Sequence, residues 1–491
     1  MSGSLLELDD DVLILLFDLL DVPDIFAIRQ ACKRMQRISE LRIVWTNACK
    51  HQIIQQHYPF PDISLADLPG PEIERRTRHA YRLASWWLSP EPPQPGLFSE
   101  FDATNGTPLL DLRFVPGHDG LWLLAVSKGI WSIISIWELA HKGATPVKKF
   151  EWSRRDCLLK DFVLNGDPAS EGVLAISVVQ NGATRVNILS LQQDEGFRRV
   201  AQIDSAWMPV YLHGELLVLC DSTHSTLVVN WRTTASAILY RSETREGSTG
   251  IEVNNPCFQI VVTSTAMLVV RAHSMVLFRK PPLSAGTPLV YTQLAEHRYG
   301  WVDGIAVSTI VESRSAATTS APPLTILVRP EPDDPWASEA NSLHLYVLHP
   351  ADSPDSPVPY VFPPTHTVRV PSVHGALQWS ALRFGPRGTA VWVEPQDRSA
   401  AGLYAGRDDA HAPVAWQDEG LVCAVFPGPL FPYGAAAEPD GSTPLLVRSR
   451  ALCTNALNNW TTVDYDEVHG LIAIGSTRGQ ITVLSLVPLH A

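Results

Sequence analysis

The stretch LDDDVLILLFDLLDVPDIFAIRQACKRMQRISELRIVW, Leu8 to Trp45, has too few polar positions for an ordinary pair of surface helices. Between Val12 and Leu20 the single polar residue is Asp18. A helix in a small domain needs one apolar stripe for its own core. Here Val12, Leu15, Leu16 and Leu19 form one stripe at i, i+3, i+4 and i+7, and Leu13, Ile14, Phe17 and Leu20 cover most of what remains. One face packs at home; the other needs a partner or lies under the rest of the chain.

Capping signals divide the stretch into short helices. Asp9, Asp10 and Asp11 offer a cap and negative charge at the electropositive end of the first. Asp21-Val22-Pro23-Asp24 breaks it and starts a second, with Pro23 in a first turn where its missing N–H costs little. Ile25, Ile28 and Cys32 give the second helix its buried side, and Lys33, Arg34 and Arg37 are expected near its end. Leu41 to His57 reads as a third helix, stopped by Pro59.

These residues resemble an F-box. That pattern opens on Leu-Pro and an acidic residue, runs through an apolar helix, turns at Leu-x-x-x-Asp, continues to a Val-Cys-Lys-Arg-like segment and closes on Trp. The chain supplies Leu8, Asp11, Val12, Leu16, Leu20, Asp24, Ile25, Ile28, Ala31-Cys32-Lys33-Arg34 and Trp45 without a gap. It departs at Asp9, where the pattern has Pro, and at Met35, where it often has an aromatic. The resemblance implies a docking surface for the Skp adaptor, and through it a cullin, with Leu8, Val12, Leu16, Phe17, Ile25, Ile28 and Trp45 as the expected adaptor-binding residues; for Trp45 an internal core position stays open, and Leu20 is expected in the core.

Outward from this head, Pro71 to Leu88 returns to helical spacing, with Ile73, Thr77, Ala80, Ala84 and Trp87 on one line. Ser89-Pro90-Glu91-Pro92-Pro93-Gln94-Pro95-Gly96 then reads as a stiff linker. The expected division is an F-box helical domain over 1–58, a connecting helix over 59–88, a Pro-rich linker over 89–96 and a β-domain over 97–491. Beyond Leu97 the texture becomes short apolar and β-branched runs between turns: Leu121 to Val126, Ile130 to Leu139, Gly172 to Val179, Thr184 to Leu189, Leu216 to Cys220, Thr226 to Trp231 and onward.

The clearest unit is the last. Trp460 to Tyr465, Leu471 to Gly475 and Gln480 to Leu486 are three strands split by turns at Glu467 to Gly470 and Arg478-Gly479. It resembles a degenerate WD-type propeller blade, with a second echo at Gly117-His118 and Ile134 to Leu139. Similar strand ends near Trp137, Leu189, Trp231, Phe278, Leu348, Tyr404, Val447 and Leu486 recur at about 40 to 70 residues, at or above the period of a propeller blade. The fold class is therefore α plus all-β: an N-terminal helical cluster followed by a β-propeller of six to eight blades, seven being the number expected. Radial closure also removes the long unpaired edges that so many strands would leave in open sheets.

Composition bounds the function. A formal net charge of −13 and the lack of any basic run disfavour nucleic acid. The seven cysteines form no CxxC pair, which suits a reducing compartment. No apolar run reaches membrane-spanning length and the first residues do not read as a secretory signal, so an intracellular, cytoplasmic or nuclear protein is expected. No P-loop, HExxH, GxSxG elbow or dinucleotide fingerprint occurs. Asp464-Tyr465-Asp466 places two carboxylates on one strand face but reads as an inter-strand turn in preference to an acid–base pair, and Asp204, Asp221 and Asp303 read as turn residues, so no catalytic residue, metal or cofactor is expected. Trp86, Trp87, Trp207, Trp301 and Trp379 fall beside turns or element ends, where aromatics fill wedges or anchor partners.

The resemblance implies a non-catalytic substrate receptor of an SCF-type ubiquitin ligase, with an unidentified protein target on the propeller. The arrangement of the whole chain is similar to the expanded F-box proteins of mushroom-forming fungi, which implies a fungal source. Two other readings stay open: a propeller scaffold or ligand-binding protein whose head is a structural cap, and a propeller hydrolase with carboxylates converging on the central channel.

Overall fold

A computed structural model of the chain describes residues 8–104, 106–140, 144–192, 196–241, 254–300, 302–308, 322–330, 342–353, 356–371, 382–394, 419–431, 447 and 449–488. The head holds helices α1 (Asp10–Phe17), α2 (Val22–Arg29), α3 (Lys33–Ser39), α4 (Arg42–Ala48) and α5 (Gly70–Leu88). Two boundaries differ from the sequence expectation. The second helix stops at Arg29, so Lys33 and Arg34 open α3 instead of closing α2. A cation there opposes the helix dipole, and Arg34 is compensated by Asp10 at 2.6 Å and by the Leu8 carbonyl. The third expected helix divides into α4 and a wider π-type turn over Cys49–Ile54.

The β-domain is a ring of seven sheets. Blades 1 to 6 are antiparallel meanders of consecutive strands: Leu109–Phe114 to Val147–Ser153, Cys157–Leu164 to Gly196–Asp204, Met208–His213 to Ser236–Tyr240, Cys257–Val262 to Ala295–Arg298, Val302–Ser308 to Thr365–Pro371, and Leu382–Phe384 to Arg450–Asn455. Leu289–Thr292 leaves blade 4 and joins blade 3 as a fifth, parallel strand. Blade 7 has only three strands from the C-terminal region, Trp460–Asp466, Leu471–Ser476 and Gln480–Ser485; its outer strand is Gly96–Asp102, paired antiparallel with Gln480–Ser485. This pairing of distant segments closes the ring, and the residues expected to form a linker lead straight into it.

Side-chain alternation explains why the middle strands read as unbroken apolar runs. In blade 1, Leu124 and Val126 pack toward blade 2, while Leu123 and Ala125 pack toward blade 7. Every blade is buried on both faces in this way, and each of the seven seams holds its own apolar cluster. The innermost strands share a further device. Six of them carry a bulge near their start, between Leu109 and Asp111, Leu159 and Asp161, Pro209 and Tyr211, Cys257 and Gln259, Val302 and Gly304, and Trp460 and Thr462. Each bulge sharpens the local twist where the strands crowd around the channel.

Two sequence expectations resolve into this ring. Of the eight recurring strand ends, Trp231 and Leu486 fall one residue past a strand, Val447 precedes one, and Tyr404 lies outside the described residues. The third strand of blade 6 is Glu419–Val425. The second correction concerns Ile130 and Trp131, expected inside a strand. That strand begins at Ser132, and the two residues sit on the turn before it. Trp301, Trp379 and the side chain of Asp303 lie outside the described residues.

Helix α5 is shared between the two parts. Ile73 and Ala80 complete the head core with Leu13, Phe17, Ile25 and Trp45. One turn later Leu83, Ala84, Trp86 and Trp87 enter the seam between blades 6 and 7. Arg450 donates to the Trp87 and Ser89 carbonyls at 2.9 and 2.7 Å, and its guanidinium lies 5.2 Å from the Trp86 ring. Gly470, at φ 65°, is required here, because a Cβ would stand 2.7 Å from Leu83.

Candidate adaptor surface and propeller channel

The first helix has the two faces that its sequence requires. Leu13 and Phe17, one turn apart, are buried against Val22, Ile25, Met35, Ile38 and Trp45, with Ile14 and Leu20 packed beside them. The opposite stripe, Val12, Leu15, Leu16 and Leu19, is exposed by 41, 64, 36 and 82%, and Leu8 continues it. Among the described residues, nothing from the propeller covers it.

Of the seven residues expected to bind the adaptor, the structure brings Leu8, Val12 and Leu16 together on this surface. Ile28 is half-buried at its side. Phe17 and Ile25 are interior, which corrects the expectation that their side chains lie on the docking surface, and Trp45 is interior too, the core position that its sequence reading left open. Phe17 is buried because it follows Leu13 by four residues and shares its inward face. Trp45 is held by its indole N–H, which donates to the Ser39 carbonyl at 2.7 Å, and by a tilted contact with Phe26 at 5.3 Å. Around it, Arg29 donates to both carboxylate oxygens of Glu74 at 2.8 and 3.0 Å and to Ser39, tying α2 and α3 to α5. Leu15 and Leu19 are the exposed residues absent from the expected set. Their signal was the spacing of the stripe itself.

A second arrangement lies at the channel. Arg113 and Asp111 of blade 1 form an ion pair at 2.9 Å, and Arg383 of blade 6 reaches Asp464 of blade 7 at 2.8 Å. Arg113 also approaches Asp464 at 3.5 Å. The Phe114 and Leu112 backbone N–H groups donate to Asp464 and Asp111 at 2.7 and 2.8 Å. Asp161 stands at the equivalent post-bulge position of blade 2. Burial drives the Asp111 carboxyl above its usual range, and drives Asp161 and Asp464 up to about 6. Asp464 is therefore a member of a three-blade network, whereas Asp466 is a turn residue that accepts from the Val468 and His469 N–H groups at 3.0 Å. Two guanidiniums bridge Asp111 and Asp464, so these carboxylates tie blades 6, 7 and 1 together. Among the described residues no group of three or more His, Cys, Asp or Glu side chains is placed to hold a metal ion.

The class is thus a seven-bladed β-propeller carrying a helical head that leaves one apolar helix face open. Residues 5–47 match the family model of the F-box domain, so the chain carries an F-box at its head, with the seven-bladed propeller behind it. No curated protein matches the sequence. Among solved structures, the chain is similar to the β-propeller domain of Cps50 (Swd1) from Myceliophteria thermophila, at 10% identity and a TM-score of 0.46 over 80% of this chain and 100% of that one. It is also similar to a chain of the humanized mutant Polycomb Repressive Complex 2 from Chaetomium thermophilum bound to the inhibitor GSK126, at 12% identity and a TM-score of 0.48 over 80% of this chain and 98% of that one.

Proposed function

We propose that the protein is the substrate-receptor subunit of an SCF-type ubiquitin ligase, docking the Skp adaptor through its F-box and a target protein through its propeller. F-box domains generally bind Skp adaptors, and the F-box and the propeller are typically non-catalytic adaptor and scaffold folds. The observation that carries the reading is the open stripe Val12, Leu15 and Leu16 on an F-box helix whose other face is packed, continued by Leu19 in the turn after it. Contiguous exposed apolar surface of this kind marks a protein contact. A head serving only as a cap would turn that stripe inward.

The adaptor surface in this proposal is Leu8, Val12, Leu15, Leu16 and Leu19, with Ile28 at its side. The cullin joins through the adaptor, and the propeller holds the target. The protein's contribution is proximity: a target lysine is held near a ubiquitin-charged enzyme, with no bond-making residue from this chain. Work in the cytoplasm, the nucleus or both follows from this role, and the likeness to the F-box proteins of mushroom-forming fungi adds a fungal source. The test is a pull-down of the full chain with the Skp adaptor, against Val12→Asp/Leu16→Asp. Capture of the wild type alone supports the receptor; equal capture of a folded double mutant overturns the assignment of the surface.

A further inference from the structure

The propeller offers a second open apolar surface, on the side away from the head. In an antiparallel blade the turn joining strands one and two lies on one face of the ring, and the turn joining strands two and three lies on the other. Helix α5 touches turns of the first kind: Arg76 meets Asp119 of blade 1 at 3.2 Å, and Leu83 abuts Gly470 of blade 7. The Lys128 to Ser132 turn of blade 1 is of the second kind, so it faces away from α5. At its tip Ile130 is 87% exposed and Trp131 43%. Leu110, the bulge residue of the innermost strand of blade 1, and Leu158, near the start of that of blade 2, are exposed on the same rim.

The charges around these four residues are mostly positive, in a chain of net charge −13. The Arg155 guanidinium lies over the Trp131 ring, 5.6 Å from its centroid. Arg154, Lys128 and Lys160 are exposed beside it. Among the described residues none of these four cations has a carboxylate partner, although Lys148 and Lys149 of the same blade pair with Glu151 and Glu138 at 2.5 and 2.7 Å. Asp156, the acidic residue between them, is engaged by the Gln180 side-chain amide.

We infer that this rim is a docking site for an extended target segment in which apolar side chains are flanked by Asp or Glu. Trp131 and Ile130 supply the anchor, since Trp and Arg are both enriched among binding hot spots and the Arg155 guanidinium stands over the Trp131 ring. The unpaired cations select acidic flanks and speed the encounter. The inference names the target class for the receptor proposed above and rests on that reading, but its site is independent of the adaptor surface.

The test selects a displayed library of random short peptides on the immobilised full chain, then measures the best synthetic peptide by fluorescence anisotropy. Enriched peptides should combine apolar residues with Asp or Glu. Affinity should fall at least about tenfold both in Ile130→Asp/Trp131→Ala and in Arg154→Glu/Arg155→Glu, and also between about 50 and about 300 mM salt. Both variants alter exposed side chains, and unchanged melting temperatures check that they fold. No enrichment, enrichment of basic or purely apolar peptides, or equal affinity in the variants overturns the inference. The competing occupant is a second copy, whose α1 is itself apolar and acidic; a dimer in sedimentation that is lost in the same variants also overturns it. Adaptor binding is measured on the same samples. Adaptor capture without peptide enrichment defeats this site alone, whereas enrichment without adaptor capture defeats the receptor reading and leaves a scaffold with this site.

Discussion

Trp87→Ala tests whether the head and the propeller fold as one unit. The indole is 2% exposed, lies in the seam between blades 6 and 7, and meets Trp86 at 5.1 Å and Tyr465 at 6.0 Å between ring centroids. Truncating a fully buried Trp costs about 3 to 5 kcal/mol, the lost transfer energy plus the cavity. Against a typical stability of about 5 to 15 kcal/mol, that is a third or more of the whole. The backbone carbonyls that Arg450 binds remain in place, so the loss is one of packing. Because α5 places Ile73 and Ala80 in the head core and Leu83 to Trp87 in the blade seam, both parts should feel it. Urea unfolding, followed by fluorescence and by far-ultraviolet circular dichroism, should show one coincident transition whose midpoint falls in the variant. Leu88→Ala, at a neighbouring exposed position, should change stability by less than about 0.5 kcal/mol. A Trp87→Ala midpoint equal to that of Leu88→Ala, or two separate transitions in the wild type, would refute the shared helix.

Three further outcomes follow from single sites. Phe17→Ala should lower stability by about 3 to 5 kcal/mol in urea unfolding, whereas Leu19→Ala, two residues away in sequence but open to solvent, should cost less than about 0.5 kcal/mol. Burial pushes the Glu467 carboxyl up to about 7 while Thr389 and the Arg387 N–H hold it. A folded-state value above the ordinary one favours the protonated fold, so this stability is present below about pH 4.5 and is lost as pH rises through about 7. Relative to wild type, Glu467→Gln should therefore gain on the order of 3 kcal/mol between acid and mildly alkaline pH; a constant difference would contradict this. Arg271, 1% exposed, donates at 3.0 Å to the Asp221 and Asn255 carbonyls and at 2.8 Å to Ser225 across the seam of blades 3 and 4. Arg271→Met should cost about 3 kcal/mol or more, read as a lower melting temperature.

The sequence displayed both stripes of the first helix but not which one is free. Leu13, Ile14, Phe17 and Leu20 are as apolar as Val12, Leu15, Leu16 and Leu19, and only the packing of α2, α3 and α4 on one side decides between them. Phe17 and Ile25 read as contact residues for that reason, and Trp45 reads either way, because large apolar residues look equally suited to a core and to a contact. In the last blade the three strands were plain from alternation and turns. Its fourth strand was not, since Gly96–Asp102 and Gln480–Ser485 stand at opposite ends of the ring's sequence and no local pattern announces their pairing. The channel network was hidden in the same way. Asp111, Arg383 and Asp464 are ordinary strand residues until closure brings blades 1, 6 and 7 together. Ile130 and Trp131 read as strand because they are apolar and precede a strand, yet the register Lys128 to Ser132 leaves them on the turn beside Gly129.

The most direct measurement is a titration of the full chain with the Skp adaptor, read as complex mass by light scattering after size exclusion. A one-to-one complex is expected with the wild type and none with Leu15→Asp/Leu19→Asp. Those two exposed side chains carry most of the open stripe, and losing their burial costs about 2 to 4 kcal/mol, roughly 30-fold to 1,000-fold in affinity. A folded wild-type chain that stays separate from the adaptor, or a double variant that binds as well as the wild type, would contradict it.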